Sequence, residues 1–294
     1  MNSQEGPPPG DVVIITGASS GIGKETALGY ARRHARLALA ARSEETLRRV
    51  AQECRTAGAD DVFIHVTDIA DAVQVDALFD AAVSRFGRID IAAQCAAITA
   101  FGRFEDIPAN VFEGIVRTNL LGSANVARSA LIHFQEHGAG HLVLIGSLLG
   151  TVATPYQSAY VATKFALRGL VRALRQENSH LPGIKVHGVY PGPVDTPVYG
   201  TASNYFGRTP RVPPSAVSPS TVVTAIIRAT NRRRSTERQV GWLNRPAILS
   251  YTLLPAVFDA IVAPLLKKVA FTSESTEPSN GNVFGRSPTE YAVP

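Results

Sequence analysis

The chain is poor in cysteine: Cys54 and Cys95 are the only two, and they lie in different units of the sequence. A pair so placed provides no disulfide framework, which excludes the small stapled domains of secreted proteins. No Asn-x-Ser/Thr acceptor occurs, and Met1 to Asp11 is polar and proline-rich, without the apolar stretch of a signal peptide. These absences favour a reducing, cytoplasmic setting. The seven histidines (His34, His65, His133, His137, His141, His180 and His187) show no metal-ligand spacing, so no metal site is expected. The formal charge of +5 gathers late, at Arg228, Arg232 to Arg234, Arg238, Lys267 and Lys268. With no basic helix interleaved with aromatics and no zinc-finger spacing, nucleic acid is not an expected partner. Charged residues are 18% of the chain against 45% hydrophobic, the balance of a globular protein. Its 294 residues suffice for one large domain with a sizeable core.

What is present is alternation. Apolar runs at 12–16, 36–41, 62–66, 89–94, 141–146 and 184–190 are separated by helical patterns at 22–34, 43–57, 71–86, 108–137 and 156–178. Strands alternating with helices predict a single α/β domain, a Rossmann-like doubly wound parallel sheet with helices on both faces. Ligands then bind where strands end, which gathers Thr16, Arg42, Asp68, Gln94, Ser147 and Pro191 around one crevice. Residues 1–10 read as a disordered lead-in and 11–242 as the domain. The stretch 193–217 reads as a long loop, followed by a helix at 219–231 and a strand at 238–242. Residues 243–271 form an apolar helical extension, and 272–294 a polar, mobile tail. Pro246 to Leu266 is long enough to span a bilayer, but Pro255, Pro264 and Asp259 argue against a span. A packed or interfacial helix pair is expected, and 246–271 is a candidate for peripheral membrane contact or for subunit contact.

Two groups of residues carry chemistry. The run Val12 to Thr16 meets Gly17-Ala18-Ser19-Ser20-Gly21-Ile22-Gly23, a glycine turn opening a helix. Such a turn admits an anion, because the backbone can approach it and the free N–H groups of the helix N-terminus face it. Tyr160 and Lys164 stand four apart on a helix, on one face, and Ser147 ends a strand thirteen residues earlier. Reduction of a ketone by hydride leaves an alkoxide that needs a proton. A tyrosine can supply it, and a nearby ammonium is expected to lower the phenol pKa toward neutrality. Ser147 would donate a hydrogen bond to the substrate oxygen, and Lys164 could also hold the nicotinamide ribose.

With these motifs in order, the chain resembles the short-chain dehydrogenase/reductase (SDR) family over roughly residues 11–240. The matching residues are Thr16-Gly17-x-x-x-Gly21-x-Gly23, Asp68, Asn119, Ser147, Tyr160-x-x-x-Lys164 and Pro191-Gly192. The resemblance implies Tyr160 as general acid/base, Ser147 orienting the carbonyl and Lys164 tuning the tyrosine, with Asn119 anchoring a relay water. It implies Asp68 at the adenine and Thr196 at the carboxamide. The expected cofactor set is Gly17, Ser19, Ser20, Gly21, Ile22, Gly23, Arg42, Asp68, Ala96, Pro191, Gly192, Val194 and Thr196, with Tyr160 and Lys164. At the end of the second strand Ala41-Arg42 stands where selectors of NAD place a carboxylate. A guanidinium there pairs with a 2′-phosphate, so NADP(H) is expected over NAD(H), with Lys24 assisting. One motif departs: Gln94-Cys95-Ala96-Ala97 replaces the family's Asn-Asn-Ala-Gly, which leaves the bracing role of the first Asn open.

The reading is an NADP(H)-dependent carbonyl reductase or alcohol dehydrogenase for a small lipophilic substrate. Candidate wall residues are Val152, Pro155, Val194, Val198, Tyr199, Tyr205 and Phe206. The resemblance implies a homodimer or homotetramer joined through 108–137 and 156–178. The alternative is a catalytically silent NADPH-binding regulator or scaffold.

Overall fold

A computed structural model describes residues 10–285; the expected lead-in, Gly10 apart, lies outside them, as do residues 286–294. Strands β1 (Val12–Thr16), β2 (Arg36–Ala41), β3 (Asp61–Val66) and β4 (Ile91–Gln94) alternate with helices α1 (Gly21–Ala31), α2 (Glu44–Thr56) and α3 (Ala72–Phe86). A two-residue strand β5 (Ala100–Phe101) precedes α4 (Ala109–Val116), a π-helical turn over Arg117–Gly122, and α5 (Ser123–His137). Then come β6 (Gly140–Ile145), α6 (Ser158–Glu177) and β7 (Ile184–Pro191). The remainder is α7 (Val198–Thr201), β8 (Ser203–Asn204), β9 (Arg208–Pro210), α8 (Pro219–Thr230), β10 (Glu237–Val240), α9 (Asn244–Leu253), α10 (Pro255–Val269) and β11 (Phe271–Ser275).

Seven strands form one sheet in the order β10-β7-β6-β4-β1-β2-β3, and every neighbouring pair is parallel. The order reverses between β1 and β4, which opens a crevice at their carboxyl ends. Both faces of the strands are apolar because both are covered. On β1, Val13 and Ile15 pack with α1, α2 and α8, whereas Val12 and Ile14 pack with α3, α5 and α6. Local signals set the helix ends. Ser43 accepts the Thr46 N–H at 3.4 Å, and Asp71 accepts the Val73 N–H at 2.9 Å. Gly87 and Gly138 close α3 and α5 in the left-handed conformation.

The stretch 193–217 is not a featureless loop. It contains α7, β8 and β9, and β8 pairs with β5 while β9 pairs with β11. The segment from Thr272, expected to be mobile, instead returns across the carboxyl edge of the sheet. β11 pairs antiparallel with β9, and Ser279 bridges to Asn204. The apolar extension is a helical hairpin, α9 and α10, in which no residue of α10 is buried. Its outer face bears Leu249, Leu253, Leu254, Val257, Ile261 and Leu265, all exposed. Among the described residues no helix is long and apolar enough to cross a membrane.

Leu142 lies at the centre of the sheet with no exposed surface. Leu142→Ala should therefore cost about 2–5 kcal/mol of stability, read as a lower urea midpoint with an unchanged m-value.

Candidate active site

A single cleft of about 510 Å³ runs along the carboxyl ends of β1, β2, β4, β6 and β7. Its lining includes every residue of the expected cofactor set, together with Ser147, Tyr160 and Lys164. Asn119 is the exception.

At the amino end of the cleft, Gly17 has φ +68°, and a Cβ there would come 2.6 Å from the Ala96 backbone. A Cβ on Gly23 would lie 2.1 Å from the Gly17 carbonyl oxygen. The turn is therefore held to glycine by close backbone approach. Ser20 is the N-cap of α1 yet makes no side-chain cap bond, and no acidic residue sits in the first turn. An uncapped helix N-terminus behind a glycine cradle suits a diphosphate. The structure thus fits a dinucleotide, with Gly17 to Gly23 at the phosphates. Lys24, expected to assist Arg42, is paired with Glu53 at 2.8 Å. Asp68 lines the cleft and accepts the Ala70 N–H at 2.9 Å; it is Asp71 that caps α3.

The departing motif keeps its bracing function. Gln94 donates to the Ala96 carbonyl at 3.1 Å and to Ser123 Oγ at 2.6 Å, both from Nε2. The longer amide side chain thereby fixes the loop that carries Cys95 and Ala96. Burial pushes the Cys95 thiol up to about 12, so it is not an activated nucleophile.

Asn119 sits on the π-helical turn with no exposed surface. Its Oδ1 accepts the Ile98 N–H at 2.9 Å, its Nδ2 donates to the Ile98 carbonyl at 2.8 Å, and its own carbonyl accepts Ser123 Oγ at 2.6 Å. Asn119 therefore braces the strand-to-loop exit beneath the cleft and is not exposed in it. The spacing in the sequence could not distinguish these roles, because it does not say which way the side chain turns.

Ser147 follows β6 and caps the short turn Leu148–Gly150, its Oγ accepting the Leu149 N–H at 3.1 Å. The neighbouring Ser147 hydroxyl pulls the Tyr160 phenol pKa down, but burial wins and pushes it up to about 12. The expected lowering by Lys164 is not found. Lys164 is 2% exposed and donates to the Ile145 carbonyl at 2.9 Å, with Nζ 5.3 Å from the Tyr160 ring centroid. The ammonium thus lies over the ring and is aimed at a backbone carbonyl, and burial lowers its own pKa to about 8. At neutral pH the phenol keeps its proton and can donate it.

Arg42 is exposed and lines the cleft, but its guanidinium is already engaged: NH2 donates to the Asn282 carbonyl at 2.7 Å and NH1 to the Val283 carbonyl at 3.3 Å. Of the expected substrate wall, Val194, Val198 and Tyr199 line the cleft, whereas Val152, Pro155, Tyr205 and Phe206 do not. Sequence reasoning missed Phe101, Leu148, Leu149, Leu266 and Ala270. Behind this wall Phe101, Tyr199, Phe206 and Phe271 form an aromatic cluster, with Phe206 and Phe271 stacked at 3.9 Å. Among the described residues no group of three His, Cys, Asp or Glu could hold a metal ion.

A parallel doubly wound sheet with a dinucleotide-shaped cleft and a Ser, Tyr and Lys at its centre defines a nucleotide-dependent oxidoreductase fold. The model of the short chain dehydrogenase family matches residues 11–204, and the chain belongs to that family. It is 31% identical over 272 residues to YxnA, an uncharacterised oxidoreductase of Bacillus subtilis, covering 92% of this chain and 75% of that protein. It is 33% identical over 193 residues to the 3-ketodihydrosphingosine reductase of Bos taurus, covering 64% of this chain and 58% of that one. The solved alcohol dehydrogenase of Thermococcus sibiricus, complexed with 5-hydroxy-NADP, superposes with a TM-score of 0.69 at 28% identity, over 80% of this chain and 97% of that one.

Lys164→Met should stabilise the protein by about 1–2 kcal/mol at pH 7 by removing a buried charge. The folded-state pKa of Lys164 lies below the unfolded value. Between about 8 and 10.5 the unfolded chain therefore binds more protons, and wild-type stability rises with pH. Thermal melts should show the advantage of the variant shrinking across that window.

Proposed function

We propose that the protein is an NADP(H)-dependent oxidoreductase interconverting a carbonyl and a secondary alcohol on a small lipophilic substrate. The observation that carries this is the Ser147–Tyr160–Lys164 group, with Ser147 and Lys164 buried and Tyr160 half-buried, at the centre of a cleft that is glycine-cradled at one end and apolar at the other. When bound, the nicotinamide supplies or takes the hydride at the carbonyl carbon. Tyr160, protonated at neutral pH, gives its phenolic proton to the carbonyl oxygen as that oxygen becomes an alcohol. Ser147, whose Oγ already accepts from Leu149, has its own O–H to donate to the same oxygen. Lys164, held against the Tyr160 ring by the Ile145 carbonyl, lines the ribose side of the cleft. Arg42 reads the adenosine 2′-phosphate, Asp68 lies at the adenine, and Thr196 with Val194, Pro191 and Gly192 lines the nicotinamide side.

A lipophilic substrate is supported by the wall of Phe101, Leu148, Leu149, Tyr199, Leu266 and Ala270, and by the likeness to a 3-ketodihydrosphingosine reductase. A homodimer or homotetramer in the cytoplasm is part of the same proposal, with α5 and α6 as joining helices and the α9–α10 face as a further subunit contact. Peripheral membrane binding through 246–271 is the alternative occupant of that face. The mass of the full chain and its co-sedimentation with liposomes separate the two.

The catalytic claim is tested with a panel of lipophilic ketones and NADPH. Tyr160→Phe should lower turnover at least about 10³-fold while NADPH affinity stays within a factor of two. Undiminished turnover would remove Tyr160 from the chemistry. Absence of turnover in the wild type across the panel, with NADPH still bound, would favour a silent NADPH-binding regulator.

A further inference from the structure

The chain beyond β11 is fastened along the rim of the nucleotide site. Ser279 and Asn204 exchange two backbone hydrogen bonds, at 2.8 and 2.9 Å. Asn280 accepts from Ser203 Oγ at 2.6 Å, and the Asn282 N–H donates to the Thr201 carbonyl at 3.0 Å. Val283 is 6% exposed and sits in an apolar cluster with Ile98, Ile107 and Ile115. Gly281 makes the turn at φ +52°, where a Cβ would come 2.4 Å from the Ala202 carbonyl carbon. The segment therefore has one seat and one register. From that seat Asn282 and Gly285 line the cleft, and the carbonyls of Asn282 and Val283 accept from the two terminal nitrogens of Arg42.

We infer that residues 279–285 form a strap that is part of the nucleotide site, holding Arg42 in the posture that reads the 2′-phosphate and so setting the preference for NADP(H). The inference rests on the role of Arg42 proposed above. A guanidinium carries five N–H donors; the strap takes two, and three remain for a phosphate. An unheld, exposed arginine would surrender its side-chain freedom on binding, which weakens the contact. Held by carbonyls that are themselves anchored through Val283 and Thr201, Arg42 meets the phosphate already ordered. The strap is far from Arg42 in sequence, so this is specificity supplied from the opposite end of the chain.

Linkage is reciprocal, which gives a test needing no variant. Hydrogen exchange of the Ser279 and Asn282 amides is followed in the full chain, free and saturated with NADPH or with NADH. Exchange should slow markedly with NADPH and much less with NADH; equal slowing by both would overturn the inference. In parallel, Gly281→Val, checked for folding by its thermal melt, is titrated with both nucleotides beside wild type and Arg42→Leu. The strap variant should bind NADPH about tenfold more weakly and NADH within a factor of two. In the Arg42→Leu background, Gly281→Val should add no further loss. Tighter NADPH binding by Gly281→Val would mean that the carbonyls compete with the phosphate, and would overturn the inference. If wild type prefers NADPH, Arg42→Leu abolishes the preference and Gly281→Val retains it, the strap role fails while the reading of Arg42 stands. Equal binding of both nucleotides by wild type removes both together.

Discussion

A parallel strand can follow another only through a crossover, and right-handed crossovers return every strand in the same direction. In this chain that constraint brings the carboxyl ends of β1, β2, β4, β6 and β7 to one edge. Residues as distant in sequence as Gly17, Arg42, Ala96, Ser147 and Pro191 thereby share a single cleft. The sheet must be apolar on both faces to sustain this, and Val12 to Ile15 show how: alternate side chains enter the two helical layers, none of them exposed. The glycine turn then lies at the point where the strand order reverses, so an open helix N-terminus faces the crevice and not a neighbouring strand.

Burial governs the electrostatics of the centre. Tyr160 and Lys164 are each shifted toward the neutral form, the phenol upward and the ammonium downward. The pair is a protonated phenol beside a buried cation that costs folding energy, held by the Ile145 carbonyl and by the face of the Tyr160 ring. A group that destabilises the fold and is held this closely fits a catalytic purpose better than a structural one. Asn119 presents the opposite case. It is wholly buried, but its amide is spent on the backbone of Ile98 and on Thr163 Oγ1, and it contributes rigidity beneath the site.

Much of this was legible before any coordinates. The periodicities of 12–94 and 141–190 give the strands and helices within a few residues, because fully covered strands and amphipathic helices each leave a clear pattern. The glycine turn was legible because the backbone approaches closely at Gly17 and Gly23, where a Cβ does not fit. Other features were hidden for physical reasons. The direction of the Tyr160 shift depends on how deeply both groups are buried and on where Nζ points, neither of which spacing reveals. The return of the tail depended on long-range pairing: nothing near Thr272 announces that β11 finds β9, or that Val283 fills a cluster built by residues 98 to 159. The apolar wall of the cleft is likewise assembled from Phe101, Leu148 and Leu266, three segments with no local signal in common.

The central claim is that this cleft is built for a dinucleotide carrying a 2′-phosphate, with Arg42 as its reader. The most direct measurement is a fluorescence titration of the purified full chain with NADPH and, separately, with NADH. The account predicts saturable NADPH binding at least about tenfold tighter than NADH, the scale of one charge-assisted contact. Equal affinities would reduce Arg42 to a surface cation tethered by the tail. Binding of neither would contradict the account at its root, because the cradle of Gly17 to Gly23 would then hold no phosphate.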